Sequence, residues 1–378
     1  MSDSVRNSEE LRRAIESYAI QLEQALSSRS LDETVEPEEH FISQSMFGRP
    51  EQEKNILSLF AIDGHTGEEI ININADRVDS SSSIGKLAIA FAVYAMIDSG
   101  ELKLYQRVPL KQSLLHPNYH SPTKDLMTSQ KSSIPLETLL AQLFLNFSND
   151  AANHIVDLIG FDIINETMQQ YGFNNTVIEG YFLPKNFAEI YTELPEERLC
   201  GKYSFNRTTP REMTMLLYDI LNGKLLSKSS CADFERKFKA AVTKYEPVKG
   251  NYLTECLPIT PEELKSEDHG IEWSYKLGQT PNHLGATAFF EDTKNGYERL
   301  IMTIMLNDTK YPVFDMNMGT RILNGTEFDG NYTHACGVAH DHLKEICGTI
   351  YGHFFNQRIV NGGSEPPQKP SDRFEASI

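Results

Sequence analysis

From Leu87 to Ile97 the chain reads Leu-Ala-Ile-Ala-Phe-Ala-Val-Tyr-Ala-Met-Ile, apolar on every face of a helix. Such a segment is buried all round rather than lying on a surface. Elsewhere the pattern is periodic. Residues 8 to 27 have a capping-box-like start at Ser8-Glu9-Glu10-Leu11 and helical apolar spacing at Leu11, Ile15, Tyr18, Ile20, Leu22 and Leu26. Residues 55–62 form an apolar run that predicts a strand; Asp63-Gly64-His65-Thr66-Gly67 is a turn and residues 69–73 a return strand, together a hairpin. Between Ile134 and Gly223 helices are expected at 136–144, 150–158 and 164–171, and a fourth starts at Thr209-Pro210 with proline near its first position. Strands are expected again at 272–278, 286–291 and 299–306, then a last helix over 339–355.

The order is therefore hairpin, long helical block, meander, terminal helix. The two ends are expected to complete one sheet with the helical block beside it. The reading assigns 1–54 to an N-terminal helix and a loose, Glu-rich insertion, 55–356 to one catalytic domain and 357–378 to a Pro/Gly/Ser-rich disordered tail. Within the domain, 55–80 and 265–356 supply the sheet part and 81–264 the mostly helical part. No internal repeat is present.

Composition narrows the function. The net charge is −18, with no Lys/Arg cluster to relieve it, which argues against nucleic acid or an anionic membrane as partner. The first residues are polar and acidic and lack the apolar core of a secretory signal. Five widely spaced cysteines without a C-x-x-C suggest reduced thiols. A cytoplasmic location is the expectation. His340 and His342 stand two apart and diverge on a helix, so no metal is expected, and no cofactor.

Candidate chemistry sits at the start of the apolar helix. Ser83-Ile84-Gly85-Lys86 places a hydroxyl and an amine three residues apart, on one helical face. Burial lowers a lysine's pKa, and a neutral amine can take the serine's proton and make it a nucleophile. The bland alternative is a serine-rich N-cap, Ser80 to Ser83, with Lys86 reaching out to solvent. A second copy, Ser121-Pro122-Thr123-Lys124, lies in a polar stretch, opens no apolar helix and reads as a decoy. Between two helices, Phe147-Ser148-Asn149-Asp150 offers short polar side chains that could orient Lys86 and hold a substrate amide, or could merely cap the following helix. Lys276-Leu277-Gly278 lies on a strand, where lysine suits either an anionic substrate or a solvated face, and glycine a close backbone approach.

In this serial order, Ser83-x-x-Lys86, the Ser/Asn cluster and Lys276-x-Gly278 resemble the S-x-x-K, S-D-N and K-T-G signature of the penicillin-recognising serine hydrolases, the class A β-lactamases and D-Ala-D-Ala carboxypeptidases. Asp98-Ser99-Gly100-Glu101-Leu102, His120-Ser121-Pro122, Ala151-Ala152-Asn153 and Thr208-Thr209-Pro210 are similar in kind and place. The resemblance implies an α/β (α+β) fold, β-lactamase/transpeptidase-like, an antiparallel sheet flanked by helices with an all-helical subdomain. It implies that Ser83 attacks a carbonyl to give an acyl-enzyme, with Lys86 as proton acceptor or relay. It implies that the N–H groups of Ser83 and Gln279 form the oxyanion hole, that Asn149 orients Lys86 and substrate, and that Lys276 holds an anionic end. His120 would stand at the rim of the site, with Lys276, Gly278 and Gln279 as its substrate-binding strand.

The chain also departs from the signature. Aligned on Ala151-Ala152-Asn153, Phe147 stands where the family has serine and Ser148 where it has aspartate; Ser148 could deputise after a one-residue shift. Leu277 replaces a hydroxyl that helps bind carboxylate, which hints at a substrate lacking one. For the deacylating glutamate the nearest match is Glu196 in Glu196-Glu197-Arg198-Leu199-Cys200, with Glu193 and Glu197 as rivals. The expected activity is a serine hydrolase acting on a small-molecule or peptide-like acyl substrate. The alternatives are a catalytically impaired binding protein and a serine transacylase.

Overall fold

Strand β1, Leu57–Asp63, is buried at all seven positions, so its sequence is a continuous apolar run rather than an alternation. Both of its faces are covered. It lies inside an antiparallel sheet with β2 (Glu69–Ile73), β8 (Ile271–Thr280), β9 (His283–Asp292) and β10 (Glu298–Leu306), in the order β2-β1-β10-β9-β8. β1 pairs with β10 from Leu57↔Leu306 to Asp63↔Leu300, so the early hairpin and the late meander meet in one sheet. The computed structural model describes residues 3–27, 57–115, 121–129, 131–145, 148–182, 206–243, 270–280, 283–294, 298–306 and 342–355.

Alternate side chains of the sheet enter two different cores. On the outer face, Leu59, Ala61, Tyr275, Phe290, Met302 and Ile304 pack with Leu11, Ile15 and Leu22 of α1 (Asp3–Ser27) and with Leu343, Ile346 and Ile350 of the last helix, 342–355. On the inner face, Phe60, Ile62, Phe289, Ile301 and Met305 pack against the helical body. That body is built around α2 (Lys86–Asp98), which is buried at each position from Lys86 to Tyr94. Around it stand α4 (Leu136–Leu145), α5 (Asn149–Ile159), α6 (Phe161–Gln170), α7 (Pro210–Leu221) and α8 (Lys228–Thr243), while α3 (Pro122–Thr128) is a short helix beside α4 and α5. Five further short strands lie among the described residues: β3 (Asp79–Ser80), β6 (Val177–Ile178) and β7 (Asn206–Thr208) form one small sheet, β4 (Arg107–Pro109) and β5 (Ser133–Pro135) another.

The expected architecture is the observed one, an antiparallel sheet flanked by helices. Thr209 caps α7, its hydroxyl accepting from the Glu212 N–H with Pro210 next, and Asn222-Gly223 follow its end. Ile20, expected on the apolar face of α1, is 54% exposed. Helix α8 was not anticipated. Its lysines, serines and glutamate obscure Phe234 and Phe238, one turn apart and both fully buried. With Tyr94 and Phe144 they make an aromatic cluster: Phe234 lies 6.0 Å from Tyr94, 5.2 Å from Phe144 and 5.9 Å from Phe238, centroid to centroid. The cluster clamps α8 and α4 onto the far end of α2. Phe234→Ala should therefore destabilise the fold by about 3–5 kcal/mol. Denaturant unfolding checks this, and a loss below about 1 kcal/mol would mean the helices close over the gap.

Candidate active site

The turn before α2 is a 3-10 helix, Ser82–Gly85, in which the Lys86 N–H reaches the Ser83 carbonyl. In 3-10 geometry side chains three apart eclipse one another, so Ser83 and Lys86 project to the same side. None of the serines serves as a cap: neither Ser81 before the turn nor Gly85 before α2 supplies a side-chain cap bond. Lys86 does not reach solvent either, being fully buried, while Ser83 stays partly exposed. The bland reading of this segment as a capped helix with a solvated lysine is thus excluded by both of its parts.

Lys86 Nζ donates to Asn149 Oδ1 at 2.6 Å and stands 5.1 Å from the Phe182 ring centroid. Burial drives its pKa from 10.5 down to about 7, against the opposing pull of the Asp150 carboxylate. An amine near neutrality can accept a proton, as a general base must. Asn149 begins α5, but the cap of that helix is Ser148, whose Oγ accepts from the Ala151 N–H at 3.1 Å. The capping and the lysine-orienting roles thus fall to neighbouring residues. Ser148 is buried, and its oxygen is engaged with the helix end.

From the opposite side comes β8, the edge of the large sheet. Ser274, Lys276 and Gly278 share its inner face. Lys276 is 1% exposed, so it is no solvated-face lysine, and burial together with the charge of Lys86 pushes its pKa well below the usual range. Its ammonium donates to the Leu277 carbonyl at 2.8 Å. Gly278 faces the nucleophile turn. A Cβ there would stand 2.3 Å from Ser82 Oγ, 2.9 Å from Ile84 Cγ1 and 3.0 Å from the Ser81 carbonyl, so only glycine lets strand and turn approach this closely. Leu277 requires a correction. It packs with Trp273 and Tyr275 into the outer core, so its side chain says nothing about the substrate. The backbone of Gln279 continues β8 past Gly278, paired with Leu284. His120, Phe147 and the candidate bases Glu193, Glu196 and Glu197 lie outside the described residues.

Ser82 itself has φ +39°, a left-handed conformation that serine rarely adopts, and its buried Oγ has no hydrogen-bond partner. Such strain persists only where the surroundings over-determine it. Here the Ser81 N–H donates to the Asn206 carbonyl at 2.8 Å, and β8 presses from the other side. Two bracketing asparagines hold further walls. Asn206 Oδ1 accepts from the N–H groups of Glu179 and Gly180, both at 3.0 Å. Asn153 accepts from the Phe182 N–H at 2.7 Å and donates to the carbonyls of Leu114 and Phe182. Asn153 was visible only as part of a resemblance, and nothing local marked Asn206.

The sequence matches a family described as the beta-lactamase enzyme family (Beta-lactamase2) over residues 43–321. The chain belongs to the β-lactamase enzyme family. It is 27% identical over 202 residues to beta-lactamase VEB-1 of Pseudomonas aeruginosa, a match spanning 52% of this chain and 63% of that protein. Among solved structures, a β-lactamase from Xanthomonas campestris aligns with TM-score 0.56 and 18% identity, covering 87% of this chain and 97% of that one. PBP-A aligns with TM-score 0.57 and 18% identity, covering 90% and 96%; a mutant of PBP-A has been solved as an acyl-enzyme complex with penicillin G. These structural likenesses establish the fold. Within the family, this chain's strand-to-turn contact yields a test. Gly278→Ala should leave the chain folded, yet slow labelling of Ser83 by an acylating probe on the order of 100-fold, the scale of a 1 Å misplacement. Unchanged labelling would mean the turn has room to spare.

Proposed function

We propose that this protein is a serine acyl-transfer enzyme, cleaving an amide or ester through an acyl-enzyme on Ser83, with Lys86 as the base. The observation that carries this is the buried Lys86 amine, held by Asn149 at 2.6 Å one 3-10 turn from the partly exposed Ser83. In the first step Ser83 Oγ bonds to the substrate carbonyl carbon while its proton passes to Lys86 Nζ. The bond to the leaving nitrogen or oxygen then breaks as the leaving atom takes that proton from Lys86 Nζ, and the neutral amine can next deprotonate the water or amine that attacks the acyl carbon and frees Ser83. Negative charge on the carbonyl oxygen would be met by the Ser83 N–H and by that of Gln279 on the edge strand; one such donor typically lowers the barrier by about 3–4 kcal/mol. Lys276 would face an anionic group of the substrate. The substrate class is a β-lactam or peptide-like acyl compound.

Penicillin G or a fluorophosphonate should add its mass to the native chain and not to Ser83→Ala, read by intact-protein mass spectrometry. Absence of any adduct on the native chain would overturn the reading. The pH dependence follows from Lys86. Only the neutral amine is a base, so the labelling rate should be flat above about pH 7 and fall about tenfold per unit below it. A rate that rises as pH falls would give the proton to a different group.

One observation favours a second reading, transfer of the acyl group to an amine rather than water. The Phe182 ring covers one face of Lys86, and an aromatic face is a poor seat for an attacking water. Under that reading, excess amine acceptor accelerates turnover; under simple hydrolysis it does not.

A further inference from the structure

One buried carboxylate borders the site and has no part in the chemistry above. Asp150 follows Asn149 at the start of α5 and is fully buried. A carboxylate in such a place cannot stay charged unless other groups hold it. Ser121 supplies one of them. Its hydroxyl donates to Asp150 Oδ2 while accepting from the Lys124 N–H at 3.1 Å, which caps α3. The Ser-x-x-Lys copy that reads as a decoy is thus the anchor of a charge beside the true candidate. The second interaction is with Lys86, which the charge of Asp150 reaches through space. Asn149, adjacent in sequence, fixes the lysine.

We propose that Asp150, anchored by Ser121, is a positioning residue that supplies the buried counter-charge for Lys86 and so governs when that amine holds its proton. The inference rests on the proposed role of Lys86 as base. When Lys86 takes the proton of Ser83, a positive charge appears in a poorly solvated pocket. A fixed carboxylate nearby stabilises that charge without reorganising, the general basis of electrostatic preorganisation. The proton passes from Ser83 to Lys86 and on to the leaving atom, and Asp150 takes no part in the transfer.

Among the described residues, other charged groups near Lys86 and along its helix have separate assignments. Lys276 of β8 opposes the charge of Lys86. His154, on the same helix as Asp150, turns away, with Nε2 accepting from the Lys111 N–H at 2.9 Å and Nδ1 bonded to the Asp150 carbonyl at 2.7 Å. Asp233 and Lys237 of α8 meet at the far end of α2, where Tyr94 bonds Asp233. Arg207 of β7 pairs with Glu179. His283 of β9 lies beside Gly285, where that strand meets Ile84.

The test is a titration of Lys86 in the full-length protein, using lysine labelled with carbon-13 at Cε and Lys86→Met to assign the resonance. In Asp150→Asn the midpoint should move down by about one pH unit, the lower end of the effect of a neighbouring opposite charge. Asp150→Glu should keep it near the native value. If Asp150→Asn does not fold, Asp150→Ser removes the same charge while leaving a hydroxyl for Ser121, and the same downward shift is expected. A midpoint that stays put in a folded, uncharged variant overturns the inference, whatever the activity. The acid limb of the penicillin G labelling rate should shift down with the midpoint. A midpoint that moves while the limb stays fixed would uphold the Asp150–Lys86 coupling and sink the role of Lys86 as base. A purely structural role for Asp150 would lower the rate at every pH and move neither.

Discussion

The hydrogen bond from Lys86 to Asn149 is the constraint around which the inner core is arranged. An ammonium at zero exposure is costly, and desolvation outweighs the pull of Asp150 and brings the amine's pKa down to about 7. That shift demands a dry pocket. It explains why α2 is apolar on every face, and why its far end is sealed by an aromatic cluster rather than by solvent. An amphipathic helix would wet the amine and return its pKa toward the ordinary value.

The nucleophile turn shows the complementary economy of strain. Ser82 adopts a left-handed backbone and leaves its hydroxyl unpaired, which together cost on the order of 2–5 kcal/mol. The turn cannot relax, because it is tied to β7 through Asn206 and pressed by Gly278 of β8. The anchor reaches further still. Asp79 on β3 accepts from Ser58 of β1 and pairs with Arg77, linking the small sheet that holds the turn to the large one. Buried asparagines and aspartates each tie two segments that are distant in sequence, and between them they fix the site from three sides.

These ties also explain what could be read from the chain and what could not. The long elements were legible because their signals are local: α2 from an unbroken apolar run, α7 from Thr209-Pro210, the meander from turn residues between apolar stretches. The site was legible as three spaced motifs. Illegible were the contacts whose partner lies far along the chain. Asn153, Asn206 and Asp150 carry no periodicity, and Ser121 reads as a helix start whether or not a carboxylate waits beside it. Leu277 was misread for a related reason. The resemblance to K-T-G put a carboxylate-binding hydroxyl at its position, but successive residues of a strand face opposite ways, and the one beside an inward lysine enters the outer core. Helix α8 was hidden because only Phe234 and Phe238 among its polar residues face inward.

Among the described residues, two lysines and one carboxylate meet at the buried site. Each amine disfavours a charge on the other, so they titrate as a pair rather than independently. Burial acts on both, but Asp150 acts on Lys86, whereas the charge of Lys86 acts against Lys276. Under the proposed mechanism, the charge of Asp150 favours the ammonium that forms when Lys86 takes a proton. Because this bias is built from fixed residues in a dry pocket, it needs no movement of the chain to act.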